Sequence, residues 1–173
     1  VPTYDNDARF TLLNNGSADL SVAGITVTPE REQLVDFIEP YYYGSSFQLF
    51  APNNTVDVSN GWEGLAGKPV CVDQDSIMVD VANRLNMFPV VYAAADEAQT
   101  QNAVLANIKS GKCIGLLEEY VRSSIYGLPA VDLPAQGADP NAPTYLAMAV
   151  AKGNGELKQK ITDANKALFE GGA

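Results

Sequence analysis

The stretch that decides the reading runs from Ala18 to Tyr43: ADLSVAGITVTPEREQLVDFIEPYYY. Leu20 to Ala23 is a short apolar run that reads as a buried strand. Gly24 to Thr26 lead out of it. Thr28 is a preferred N-cap and Pro29 suits the first helical position, so the spacing predicts a short helix with Arg31 in its first turn. A guanidinium there lies beside free backbone N–H groups at the positive end of the helix dipole, an arrangement that suits a carboxylate. The plainer alternative is a solvated arginine paired with Glu30, Glu32 or Asp36.

Working outward, the 173 residues are enough for a sizeable core in one or two domains, and the 46% apolar share is ordinary for a globular chain. The formal net charge of −10 argues against nucleic acid and anionic membrane surfaces, which both call for basic patches. The longest apolar run, Tyr145 to Ala151, is far too short to span a bilayer. The chain shows no signal peptide and starts at Val1 without Met, which reads as processed or incomplete. There is no histidine, which removes His-based triads and most zinc sites; neither a metal nor a cofactor is expected. Cys71 and Cys113 are too few for a metal cluster. Each sits in a short apolar segment that reads as a strand, and the pair leaves open a disulfide or two buried thiols.

Strand-like and helix-like stretches alternate along the chain, which indicates an α/β fold. Helices are predicted over Ala8 to Asn15, ending at the Asn15-Gly16 stop signal, and over Ser76 to Asn86, Glu97 to Ser110 and Gly155 to Glu170. In the second of these, Met78, Val81, Ala82 and Leu85 share one face; in the last, Leu157, Ile161, Ala164 and Leu168 form a stripe. Strands are predicted over Leu20 to Ala23, Ser45 to Ala51, Val70 to Val72, Val90 to Tyr92, Lys112 to Leu117 and Leu146 to Ala151. Asn53 to Gly61 and Gln136 to Pro143 read as loops. No internal repeat, low-complexity tract or long charge run is present. Asn-x-Ser/Thr triplets begin at Asn15 and Asn53 in predicted surface turns, where they matter only in a eukaryotic secreted protein.

The decisive stretch resembles the signature of the type 2 periplasmic solute-binding proteins, the family that binds polar amino acids for ABC importers. The matching positions are Gly16, Asp19, the strand Leu20 to Ala23, Gly24, Thr26, Thr28, Glu30, Arg31, Asp36, Phe37, Pro40, Tyr41 and Tyr42. The resemblance implies a two-lobed α/β fold with mixed sheets flanked by helices. Residues 1–50 and 146–173 are expected to form the first lobe and 51–145 the second, with two crossing strands as the hinge. Family members begin with a strand, a helix and a second strand before the point matching Val1. The first lobe is therefore expected to be incomplete, its missing part lying in an N-terminal segment or a partner chain. A sheet edge left unpaired in this way is a liability in a free monomer.

The resemblance also implies a site. Arg31 grips a ligand carboxylate, Thr26 adds a hydroxyl and an N–H, and Gly24 offers a carbonyl to the ammonium. From the second lobe the family uses a Gly-Thr pair at a helix start, matched here by Asp75 and Ser76. Ser76 keeps the hydroxyl, while Asp75 brings a negative charge where the family has glycine; the alternative for both is helix capping. Glu119, with Glu118 beside it, matches the ammonium-binding Asp at a strand end; the alternative is a solvent-facing acidic pair at a helix start. Tyr4 is a candidate aromatic lid residue, and Tyr41 to Tyr43 are expected to pack and hydrogen-bond near the hinge. Relatives carry cysteines at the positions of Cys71 and Cys113. This implies a disulfide between neighbouring strands of the second lobe, whose loop closure is worth about 4 kcal/mol.

The function implied is a non-enzymatic periplasmic or extracellular binding protein. It would capture a small polar ligand, an amino acid foremost, and present it to an ABC permease. Two alternatives stand beside it: a ligand-sensing or structural module of a larger extracellular assembly, and an enzyme resembling cyclohexadienyl dehydratases, which place an added acid in the same fold.

Overall fold

A computed structural model describes residues 7–53, 55–93, 97–121, 126–134 and 144–170. The described residues pack as two compact units, one built from residues 7–44 and 144–170 and the other from those between 45 and 134.

In the first unit, helix α1 (Ala8–Asn14) ends where expected: Gly16 takes a φ of 75°, which a side chain would resist, and its N–H bonds to the Leu13 carbonyl. Strand β1 (Leu20–Thr26) runs three residues beyond the apolar stretch that predicts it. Helix α2 (Pro29–Leu34) leads into β2 (Val35–Phe37), followed by β3 (Tyr42–Ser45). The long return strand β8 (Thr144–Ala151) is the centre of this sheet: β1 and β2 flank it antiparallel, and β3 also pairs with it. Phe10, Leu13, Ile25, Val35, Phe37, Ala147 and Ala149 form the core beneath. Among the described residues β1 lies at the sheet margin, with Val22 67% exposed. Helix α5 (Gly155–Glu170) has the predicted bounds, but only the start of its apolar stripe is covered: Leu157 and Ile161 are half-buried and Leu168 is exposed.

In the second unit the sheet order is β4 (Phe47–Phe50), β7 (Leu116–Glu119), β5 (Pro69–Asp73) and β6 (Phe88–Tyr92). β5 is parallel to both β6 and β7, whereas β4 is antiparallel to β7. The pairing of β4 with β7 places residues 45–50 with the second unit, whereas the sequence reading runs the first lobe to residue 50. Two-residue periodicity gives the sheet two apolar faces. Val70, Val72, Leu49 and Leu117 join the core with helix α3 (Met78–Arg84), whose Met78, Val81 and Ala82 are buried. Cys71, Phe50 and Leu116 point into a second cluster with Val104 of helix α4 (Glu97–Lys109), Tyr92 and Tyr126.

Two elements, α3 and β7, differ from the sequence reading in ways that bear on the site. Helix α3 starts at Met78 rather than Ser76, because residues 74–77 are turn. The strand placed at Lys112 to Leu117 is instead β7, at Leu116–Glu119. Gly115 explains the offset: a Cβ there would stand 2.7 Å from the Phe50 carbonyl oxygen, so the chain passes too close to β4 for a side chain. Cys113 therefore lies ahead of β7 rather than within a strand. The Cys71–Cys113 disulfide is present, its Cα atoms 5.5 Å apart, as the adjacent Ile114 N–H bonds to the Pro69 carbonyl beside β5. The loop expected at Gln136 to Pro143 falls outside the described residues.

Candidate ligand-binding site

Strand β1 sets up the first unit's part of the site. Its register against β8 steps from Ser21↔Ala149 to Ile25↔Ala147, so the segment between bulges out of the ladder. Val22, Ala23 and Gly24 are exposed there, while Ile25 and Thr26 are buried. The bulge thus takes the backbone of Gly24 off the ladder, next to Thr26. The Tyr41 hydroxyl donates to the Ala23 carbonyl at 2.7 Å and ties one bulge oxygen down. A Cβ on Gly24 would meet only Leu146 Cδ1 at 3.9 Å, so nothing in the packing demands glycine there.

Helix α2 then presents Arg31 as its sequence predicts. Thr28 is the N-cap in an extended conformation, and its Oγ1 accepts from the Arg31 N–H at 3.3 Å. The Arg31 side chain does not lie in solvent. The residue is 8% exposed, and its Nη1 donates to the Thr26 carbonyl at 3.0 Å. Its guanidinium carbon sits over the Phe10 ring, 5.7 Å from the centroid. The plainer alternative of a solvated ion pair is therefore not what the fold builds. A buried arginine whose Nη1 is bonded to the backbone and whose guanidinium carbon lies over an aromatic ring is suited to a bidentate carboxylate.

Asp36, from the same motif, has a different task. Its carboxylate accepts from Lys152 Nζ at 2.8 Å and from the Gly153 N–H at 2.8 Å, at the turn into α5. These two hydrogen bonds hold its pKa below the usual carboxylate value. Tyr43 packs edge-on against Tyr145, with ring centroids 5.3 Å apart. Tyr41 and Tyr43 thus pack and hydrogen-bond, as expected. Tyr4 lies outside the described residues.

In the second unit, Ser76 lies in the turn ahead of α3, not at the helix N-cap, which is Ile77. Its Oγ still accepts from the Met78 N–H at 3.2 Å, so the hydroxyl serves the incoming backbone of the helix. Asp75 takes a φ of 55°, the left-handed region where glycine is easiest and Asp is tolerated. Its carboxylate accepts from Gln74 Nε2 at 3.0 Å. Glu118 and Glu119 close β7 and are both buried, so they are not a solvent-facing pair at a helix start. The Glu119 N–H bonds to Glu118 Oε1 at 2.8 Å. Close by in the sheet, the hydroxyls of Tyr92 and Tyr126 stand 3.4 Å apart. Burial raises the Tyr92 pKa well above the ordinary phenol value, and Tyr126 and the charges of Glu118 and Asp73 add to the rise, so Tyr92 stays neutral.

Asp73, Tyr92 and Glu119 each end a strand, β5, β6 and β7, and these strands run parallel. The carboxyl ends of parallel strands are where open α/β sheets take their ligands. Sequence reasoning passes over Phe10. Phe10 gave no signal, since it reads as one more apolar position on α1. Among the described residues no group of three or more Cys, Asp or Glu side chains is arranged to hold a metal ion.

A family model for bacterial extracellular solute-binding proteins, family 3, matches residues 1–173. The amino-acid-binding protein AabA of Dichelobacter nodosus is 27% identical, over 90% of this chain and 60% of its own length. The chain thus spans 60% of the length of this curated relative. Among solved structures, the substrate-binding protein AbpA of an amino acid ABC transporter from Streptococcus pneumoniae, bound to L-arginine, is similar with a TM-score of 0.79 at 24% identity. The match covers 99% of this chain and 70% of that chain. The ancestral amino-acid-binding protein AncCDT-1, a precursor of cyclohexadienyl dehydratase, has a TM-score of 0.78 at 20% identity, covering 98% of this chain and 71% of that one. These likenesses show the two-lobed α/β fold of amino-acid-binding proteins.

Proposed function

The chain belongs to the bacterial extracellular solute-binding proteins of family 3, and from that premise we propose that it serves to capture a small α-amino acid outside the cytoplasm for delivery to an ABC permease. The observation that carries this reading is Arg31: a residue 8% exposed, set in the first turn of a capped helix with its Nη1 bonded to the Thr26 carbonyl. A cation is seldom buried unless it has an anion or a rich set of acceptors to meet. In this reading Arg31 takes the ligand carboxylate, Thr26 adds hydrogen bonds, and the off-ladder Gly24 carbonyl accepts from the ammonium. Ser76 and Glu119 are the second unit's contribution, the hydroxyl to the carboxylate and the acid to the ammonium. The described residues between 45 and 134 correspond to the second lobe, and 7–44 with 144–170 to the first. The sheet margin at β1 is then the place where a further strand of the first lobe pairs. No step of this function is chemical, and the protein is read as a binder rather than an enzyme.

The test is calorimetric titration of the full-length protein against a panel of L-amino acids, L-arginine included. Wild type is expected to bind at least one of them. Arg31→Ala should weaken that affinity by roughly thirty-fold or more, from the loss of about 2–5 kcal/mol at a buried charged pair. If no amino acid binds, or if Arg31→Ala binds as well as wild type, the transport reading fails and a sensing or structural role takes its place. Turnover of prephenate or arogenate would instead establish the dehydratase alternative.

A further inference from the structure

We propose that Phe10 is a positioning residue for Arg31: its ring is the platform that holds the guanidinium in its binding orientation before any ligand arrives. The proposal rests on the reading of Arg31 as ligand anchor, but its first test does not need a ligand.

The geometry is specific. Phe10 comes from α1, while Arg31 comes from α2, and the two meet only because both helices pack on the same sheet. Three contacts bear on the position of Arg31. Its backbone N–H is held by Thr28 Oγ1 at 3.3 Å, its Nη1 donates to the Thr26 carbonyl at 3.0 Å, and its guanidinium carbon lies 5.7 Å from the centroid of the Phe10 ring. The first fixes the main chain and the second one nitrogen. The ring adds a contact to the centre of the guanidinium. Phe10 is itself 4% exposed and wedged among Leu13, Ile25 and Val35, so the platform is rigid.

The ring also carries a second cation, with the Arg9 guanidinium carbon 5.3 Å from the same centroid. Aliphatic packing alone gives no reason for two guanidiniums to gather on one buried ring. The negative face of the aromatic quadrupole does, and the attraction grows where water is excluded. An arginine has several rotatable bonds, and ordering them at the moment of binding would subtract from affinity. A platform that orders the side chain beforehand removes that loss, and it favours arginine over lysine because only the guanidinium is flat.

The experiment compares Phe10→Leu, Phe10→Tyr and the control Leu13→Ala in the full-length protein. Leu13 is equally buried on α1 and belongs to the same core, but the Arg31 stack does not involve it. Side-chain ¹⁵N NMR of the ligand-free protein reads the order and ring-current shift of the Arg31 Nε–H. Wild type and Phe10→Tyr should show an ordered, ring-shifted Nε–H. Phe10→Leu should lose both, and Leu13→Ala should keep both even if it melts at a lower temperature. In titrations with L-arginine, or whichever panel amino acid binds wild type, Phe10→Leu should weaken affinity roughly tenfold and Phe10→Tyr should restore it. An Arg31 Nε–H that stays ordered in Phe10→Leu, or is lost equally in Leu13→Ala, overturns the proposal. If Phe10→Leu alone loses the signal while no amino acid binds wild type, the platform stands and the solute-binding reading falls.

Discussion

In the first unit the groups assigned to a ligand come from one short stretch of chain, Gly24 to Arg31, where a bulge is followed directly by a capped helix. In the second unit Ser76 and Glu119 follow or end two different strands, and only the β5–β7 pairing brings those strands side by side. The first arrangement is local: cap, proline and arginine each act within a turn of one another. The second depends on long-range register, and it carries the chain's disulfide, which joins β5 to the lead-in of β7. The unit whose polar groups depend on register is thus also the one with a covalent restraint on that register.

The largest effect expected from breaking this contrast is loss of that restraint. Replacing Cys71 and Cys113 together by Ser should lower stability by about 4 kcal/mol through loop-closure entropy. Hydrogen exchange should locate the loss in β5, β6 and β7 and leave the β1–β8 ladder nearly as protected as before. Equal deprotection of both sheets would mean that the two units unfold together and that the contrast is not energetic.

A smaller effect probes the local arrangement. Thr28→Ala removes the acceptor for the Arg31 N–H and should cost about 1 kcal/mol in chemical denaturation. It should also weaken ligand binding, because the first turn that presents Arg31 frays. Ser76→Ala is the matching change in the second unit. It removes the acceptor for the Met78 N–H, and since the residue lies outside the helix its stability cost should be the lesser of the two.

The same contrast explains what could be read from the chain beforehand. The Thr28 cap, Pro29 and the Asn15-Gly16 stop are local codes, and the structure keeps each of them. Helix α5 and strands β5 and β6 follow from apolar periodicity and were legible within two residues. The error at β7 came from a close approach: Gly115 is small because of the Phe50 carbonyl, a partner far away in sequence. The boundary at residue 45 was missed for the same reason, since β4 is assigned by its pairing with β7 and not by its own composition. Phe10 was invisible as a platform because nothing local to α1 says which cation will lie on it. The motif named Arg31, but it could not say that Asp36 would bind the turn into α5 instead of the arginine.

Asp36 yields a prediction with a pH sign. Its folded pKa lies below the ordinary carboxylate value because Lys152 and the Gly153 N–H stabilise the charged form. The stabilisation is therefore fully present above the unfolded pKa of about 3.9 and is lost as pH falls through the lower folded value. Lys152 is half exposed, with 52% side-chain accessibility, so solvent screens the pair and the contribution should be about 0.5–1 kcal/mol. Asp36→Asn should melt below wild type at neutral pH, and the gap should close as pH falls through the depressed folded pKa. A gap that stays constant from pH 7 to pH 2 would show that charge has no part in it.

The smallest effect concerns Asp75, the sharpest departure of the second unit from the family pattern. Asp75 holds a φ of 55°, a conformation that costs a non-glycine residue about 1 kcal/mol or more, and its carboxylate accepts from Gln74 in an exposed setting. Asp75→Gly removes that strain but adds about 0.5–1 kcal/mol of backbone freedom to the unfolded chain. The two terms nearly cancel, leaving a gain of about 0.5 kcal/mol at most. Binding separates the possibilities more sharply than stability does. If Ser76 faces a ligand carboxylate, the negative charge beside it repels, and Asp75→Gly should hold affinity or raise it, more so at low salt, where screening is weak. A clear loss of affinity on the same substitution would mean that the acid meets a cationic part of the ligand. That would break the parallel between the two units, with the first reading the carboxylate through Arg31 and the second reading positive charge.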